Sequence, residues 1–175
     1  MIRKSILAVV AVLFAGSLAF AQQTTYNFDR GTDFTKLKTY KWVPIKDAQH
    51  PNAITDKNIV TIIDAQLAAK GLVKKDADPV DLFVGYGTTV DQEKMITGYG
   101  GGFGFRFGGM GMAETSTINN GTILIDVYAV ATKTLAWRGS VTEAVPSSSD
   151  PNKNYKQLEK AITKLMKDFP PPPAK

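Results

Sequence analysis

The chain has 175 residues, one histidine, no cysteine and a formal charge of +5. The missing cysteines exclude a disulfide framework, and a single histidine without thiols leaves no zinc cluster. Its 21 lysines and arginines are scattered rather than gathered in a stripe, which argues against a nucleic-acid partner.

The opening MIRKSILAVVAVLFAGSLAFAQQ has the three parts of a secretory signal peptide. Arg3 and Lys4 are the basic region, Ile6 to Leu18 the apolar region, and Ala19-Phe20-Ala21 the cleavage signal. Residues 1–21 are therefore expected to be removed after Ala21, giving a periplasmic or secreted product with a formal charge of +3. The apolar run is short for a bilayer span of about 20 residues. No cysteine follows the cleavage site to carry a lipid, and no later stretch is apolar enough to span a membrane. Residues 22–175 are expected to form one domain, long enough to bury a core.

In chain order, Thr24 to Asp29 is a short strand, Arg30 to Asp33 a turn and Thr39 to Val43 a second strand ended by Pro44. Tyr40 and Trp42 share a face of that strand. A polar loop from Lys46 to Asn52 carries His50. The spacing of Ile59, Ile62, Ile63 and Leu67 predicts a helix over Thr55 to Lys70, with Thr55 as its cap and Gly71 just past its end. Leu82 to Val90 is a strand with Leu82, Val84, Tyr86 and Val90 on one side. Gly85 and Gly87 on the other side mark a bulge or a close approach by another segment.

Thr97 to Met112 reads TGYGGGFGFRFGGMGM, half of it glycine, and is expected to be a long mobile inter-strand loop. Thr122 to Val145 alternates in two runs and predicts a hairpin. Pairing Ala129 with Trp137 puts Ile123, Ile125, Val127, Trp137 and Val141 on one face, and Asp126, Tyr128, Arg138 and Ser140 on the other. That register calls for an odd loop, Thr132-Lys133-Thr134, because a two- or four-residue loop would turn Trp137 to the Asp126 face. Asp150 and Pro151 then start a last helix, with Tyr155, Leu158, Ala161, Ile162, Leu165 and Phe169 at helical spacing until Pro170 opens a Pro-rich tail over residues 170–175. Together these elements predict an α+β fold: a two-layer sandwich of a mostly antiparallel sheet with two helices packed on one face. Trp137, Ile125, Ile63 and Leu165 are expected to meet in its core.

Three motifs carry a family resemblance: YNFDRGTDFTKLKTYKW over Tyr26 to Trp42, PVDLFVGYG over Pro79 to Gly87, and GTILIDVYAVATKTLAWRGSVTEAV leading into YKQLEKAITKLMKDFP. Together the chain resembles the bacterial domain of unknown function 4136 family, whose members are mostly envelope lipoproteins of Gram-negative bacteria. The resemblance implies an envelope address and supplies no catalytic residues. This chain departs from that pattern by lacking the lipidated cysteine.

Residue chemistry adds little that is catalytic. Asp126 and Arg138 are expected diagonally across the open sheet face, as a polar site or, more simply, an exposed ion pair worth at most about 1 kcal/mol. Glu143 should point away from Asp126, so the two do not form an acid/base pair. His50, alone in a polar loop, reads as a solvent-exposed side chain. The Gly-rich segment lacks the helix N-terminus and closing Lys-Ser/Thr of a phosphate loop. Its Tyr99, Phe103, Phe105, Arg106 and Phe107 read either as a contact loop for an envelope protein, glycan or lipid surface, or as a loosely resting insertion. No cofactor, metal or catalytic residue is expected. The leading expectation is a non-catalytic binding or accessory module of the envelope; the alternatives are a carboxylate-dependent hydrolase and a self-associating structural component.

Overall fold

A computed structural model describes residues 23–97, 114–145 and 148–172. The expected leader, the Gly-rich segment from Gly98 to Met112 and the last three residues of the tail lie outside the described residues. The strands are β1 (Gln23–Phe28), β2 (Thr39–Trp42), β3 (Val73–Lys74), β4 (Leu82–Thr97), β5 (Glu114–Ala129) and β6 (Thr134–Ala144); the helices are α1 (Ala53–Ala69) and α2 (Pro151–Met166). They form one six-stranded sheet in the order β1-β6-β5-β4-β2-β3. β1, β6, β5 and β4 pair antiparallel, while β2 joins β4 and β3 in parallel. The parallel edge was not anticipated, because β3 has only two residues and exposed side chains, too little for an alternation to register.

Both helices cover the same face of the sheet. Ile59, Ile62, Ile63 and Leu67 of α1 and Ala161, Ile162, Leu165 and Met166 of α2 are buried against Ile123, Ile125, Val127, Trp137 and Val141. Trp137, Ile125, Ile63 and Leu165 do meet there, each fully buried. Phe169, past the end of α2, edges onto Trp137 with ring centroids 5.2 Å apart. Each such side chain withdrawn from water contributes roughly 1.5–3 kcal/mol.

α1 starts earlier than its apolar stripe suggests. The first helical bond runs from the Asp56 N–H to the Asn52 carbonyl at 2.9 Å, and the Asn52 side chain accepts from the Thr55 N–H at 3.1 Å. Asn52, not Thr55, is the cap. At the other end Gly71 has φ +83°; its N–H reaches the Ala68 carbonyl and that of Leu72 reaches Leu67, so two orphan carbonyls are satisfied while Leu72 folds back into the core. α2 begins as expected, with the Asp150 side chain accepting from the Asn152 N–H and Pro151 in the first turn. It ends at Met166, short of Pro170, through a tighter final turn in which Phe169 N–H bonds the Met166 carbonyl.

The hairpin register differs from expectation in an instructive way. Val127 lies opposite Trp137 and Asp126 opposite Arg138, two residues out of the Ala129–Trp137 pairing. Ala129 instead faces Thr134 across a four-residue connection, Val130 to Lys133. An even loop should have sent Trp137 to the wrong face. It does not, because Ala136 is an extra residue on β6 between the Tyr128–Leu135 and Val127–Trp137 pairs. That bulge restores the parity, and its carbonyl is taken by the Asp29 N–H at 2.8 Å.

On the sheet face away from the helices, the chain after β2 crosses β4. A Cβ on Gly85 would lie 2.9 Å from the Val43 carbonyl oxygen, and one on Gly87 3.1 Å from Ala48 Cβ. The β4–β5 register runs unbroken past both glycines, so of the two expected meanings the close approach holds and the bulge does not. β4 and β5 also continue well beyond the ends expected from their alternation.

Candidate functional site

That continuation is the most unusual feature of the fold. β4 and β5 pair from Leu82–Ala129 out to Thr97–Glu114, but β6 accompanies β5 only as far as Asn119, where the Val145 N–H bonds its carbonyl. On the other side, the chain after β2 makes its last backbone hydrogen bond to β4 at Thr88, whose N–H bonds the Gln49 carbonyl. The five rows from Glu93–Ile118 to Thr97–Glu114 therefore form a two-stranded ribbon. At about 3.4 Å per residue it reaches roughly 17 Å past the sheet. In sequence, the segment carrying Tyr99, Phe103, Phe105, Arg106 and Phe107 joins its two strands. Those five residues lie outside the described residues.

At the ribbon's base, between the two helices and the sheet, is a groove of about 230 Å³. Ile59, Ile123, Val141 and Leu158 contribute to it, with Val90 and Val145 exposed at its mouth. Val90 was expected on the same side of its strand as Leu82, Val84 and Tyr86; unlike those three it is exposed, with no described residue covering it. Glu143 lines the same groove and accepts from Gln157 Nε2 at 3.1 Å. It is thus on the helix side, opposite Asp126, as its alternation indicated.

His50 stands on the groove's rim and is less isolated than its loop suggested. Its Nδ1 lies 3.1 Å from Asp56 Oδ1, and its ring meets Tyr86 edge-on at 4.8 Å between centroids. The Tyr86 hydroxyl donates to the same Asp56 oxygen. Burial, then the bond to Asp56 and its charge, push the Tyr86 hydroxyl well above its ordinary pKa. Two turns along α1, Asp64 repeats the arrangement: it accepts from the Tyr40 hydroxyl and Trp42 Nε1, both at 2.8 Å, and from Lys74 Nζ at 2.9 Å. Asp56 and Asp64 are eight residues apart and so share one flank of the helix. That spacing, set beside the alternating Tyr40 and Trp42, was a legible signal that sequence reasoning passed over.

Asp126 and Arg138 are directly opposed, not diagonal. Arg138 Nε and a terminal guanidinium nitrogen each donate at 2.6 Å, one to each carboxylate oxygen, and the Tyr128 hydroxyl adds a bond at 3.3 Å. The expectation of an exposed pair is corrected on one side only: the Asp126 side chain is fully buried, while that of Arg138 is 47% exposed. Gly85 opposite Asp126 leaves room for the chain crossing β4, and that crossing helps exclude water. Chemically this is a fixed, neutralised pair. Among the described residues no group of three His, Asp or Glu side chains is placed to hold a metal ion. No described helix is long and apolar enough to cross a membrane.

None of the curated proteins matches the chain. Among solved structures, a PDZ domain protein from Parabacteroides distasonis is similar in fold, with TM-score 0.55 and 18% identity over 86% of this chain. The chain spans 35% of the length of that protein. A PelC dodecamer from Paraburkholderia phytofirmans is similar at TM-score 0.50 and 12% identity, covering 83% of this chain and 95% of that one. At these identities the likeness is one of fold. In sequence, the model of the family described as "Domain of unknown function (DUF4136)" matches residues 24–171, and the chain belongs to that family.

Proposed function

We propose that this protein is an exported, non-catalytic binding or accessory module of the bacterial envelope, and that it engages a protein, glycan or lipid-surface partner through the Gly/aromatic segment between β4 and β5. The observation that carries the reading is the ribbon. Five rows of strand pairing extend past every neighbouring strand, and the sequence they connect is rich in aromatics around Arg106. Aromatic side chains with one cation supply the kind of anchor that dominates interfaces. The leader-like N-terminus supports export. An affinity capture from the envelope fraction tests the role of the segment, using the intact protein beside a variant with Phe103, Phe105 and Phe107 as alanine. A partner held by the first and lost by the second is the expected result; equal capture by both sinks the reading.

A second reading is self-association through the ribbon. Outside its own ladder each ribbon strand has an edge without a described neighbour, and such edges template pairing with another chain. The solved PelC relative in fold is a dodecamer. Sedimentation over a hundredfold concentration range separates the readings: a mass that climbs with concentration favours assembly, and a constant monomer mass favours a binder of other molecules.

A further inference from the structure

At the end of the sandwich away from the ribbon, beside the start of β4, is a second and larger opening of about 610 Å³. Its size is in the range of small-molecule sites, about 300–1,000 Å³. Its floor is apolar: Phe34, Leu37 and Phe28 are half-buried there, over the buried Leu72 and Phe169. Its rim carries three cations, Arg30, Lys38 and Lys70, and one acid, Asp33.

The acid is already committed. One Asp33 oxygen takes the Thr35 N–H at 3.1 Å and the Thr35 hydroxyl at 2.6 Å, and the other takes Lys36 at 3.1 Å. The nearby Asp29 and Asp81 are spent the same way, on Gly31 and Thr32, and on the backbone of Lys38 and Thr39. Arg30 and Lys38 make no side-chain hydrogen bond or ion pair among the described residues. Lys70, the half-buried C-cap of α1, has no closer compensation than the charge of Asp168. Its burial lowers the ammonium pKa, the direction expected of a cation short of both water and a counter-charge.

An apolar floor ringed by unpaired cations matches one kind of molecule. We propose that this cleft binds a single-chain amphiphile with an anionic head, carboxylate or phosphate, its tail along Phe28, Phe34 and Leu37 and its head between Arg30, Lys38 and Lys70. The site is built from residues separate from the Gly/aromatic segment, and it stands or falls apart from that segment's role.

Isothermal titration of the purified protein with dodecanoate, dodecyl phosphate, octyl glucoside and inorganic phosphate, all below micellar concentration, tests it. At least one of the two anionic amphiphiles should bind tenfold or more tighter than the neutral amphiphile and the bare anion. Which of the two prevails identifies the head group. The double variant Lys38→Gln/Lys70→Gln should weaken that binding at least tenfold, with Lys57→Gln on the outer side of α1 leaving it unchanged and circular dichroism showing all variants folded. The triple alanine variant at Phe103, Phe105 and Phe107 should also bind normally. Equal affinity for octyl glucoside, equal affinity for inorganic phosphate, no binding of either anionic amphiphile, or indifference to the double variant would each overturn the assignment.

Discussion

Trp137 lies across Gly139 on the inner face of β6. A Cβ at Gly139 would come within 2.7 Å of the indole Cζ2 and 2.9 Å of Leu165 Cδ1. Neither neighbour has room to yield, since both are fully buried. Gly139→Ala should therefore overpack the core and cost about 1–3 kcal/mol in urea denaturation. The Asp126–Arg138 pair predicts an asymmetry. Arg138→Ala strands a carboxylate with no access to water, a loss of about 3–5 kcal/mol. Asp126→Ala frees a guanidinium that is already 47% exposed and can turn to solvent, so its cost should be clearly smaller. Chemical denaturation of the two variants checks the order, and equal losses would mean that Asp126 is not sealed from water. The pairing of these residue types was visible in the sequence; the burial that separates their fates was not, because the covering segment is Val43 to Ala48, some eighty residues away in the chain.

At the scale of elements, the C-terminus of α1 depends on a left-handed residue. Nothing lies within 4 Å of a Cβ built on Gly71, so Gly71→Ala meets no clash and its cost is conformational, about 1–2 kcal/mol. Gly71→Asn should lose less, and a thermal melt of the pair separates them. The polar seam along α1 should contribute to a loss of stability at alkaline pH. Tyr40 and Tyr86 are both raised above their ordinary pKa of 10.0, first by burial and then by bonding to Asp64 and Asp56. Above that pH the unfolded chain releases phenolic protons that the folded one still holds, so stability present below pH 10 is lost as pH rises. Tyr40→Phe with Tyr86→Phe should flatten that decline while lowering stability at neutral pH by about 1 kcal/mol per lost bond. Capping chemistry was readable for α2, where Asp150 and Pro151 stand alone before the helix. For α1 the periodicity pointed to Thr55, three residues late, and the first helical bond, to the Asn52 carbonyl, decided for Asn52.

For the whole molecule, the ribbon and the sandwich should be separable. Replacing residues 98–113 with an Asn-Gly turn keeps the Thr97–Glu114 pairing and leaves every described core residue in place, so the melting temperature should stay within a few degrees. A large drop would show that the segment packs on the domain. Local periodicity alone determined the α+β class, the single face on which both helices pack, and the meeting of Trp137, Ile125, Ile63 and Leu165, because alternation and helical spacing encode which side of each element avoids water. Only the tertiary structure decided the rest. The Ala136 bulge, the parallel pairing of β2 and β3, the sealing of Asp126, the seam of aspartates and aromatics on α1, and the cationic cleft between β1, α1 and the Pro-rich tail all depend on contacts between residues distant in the chain. No local pattern specifies such contacts, because each arises from where a neighbouring element lies rather than from the spacing within one.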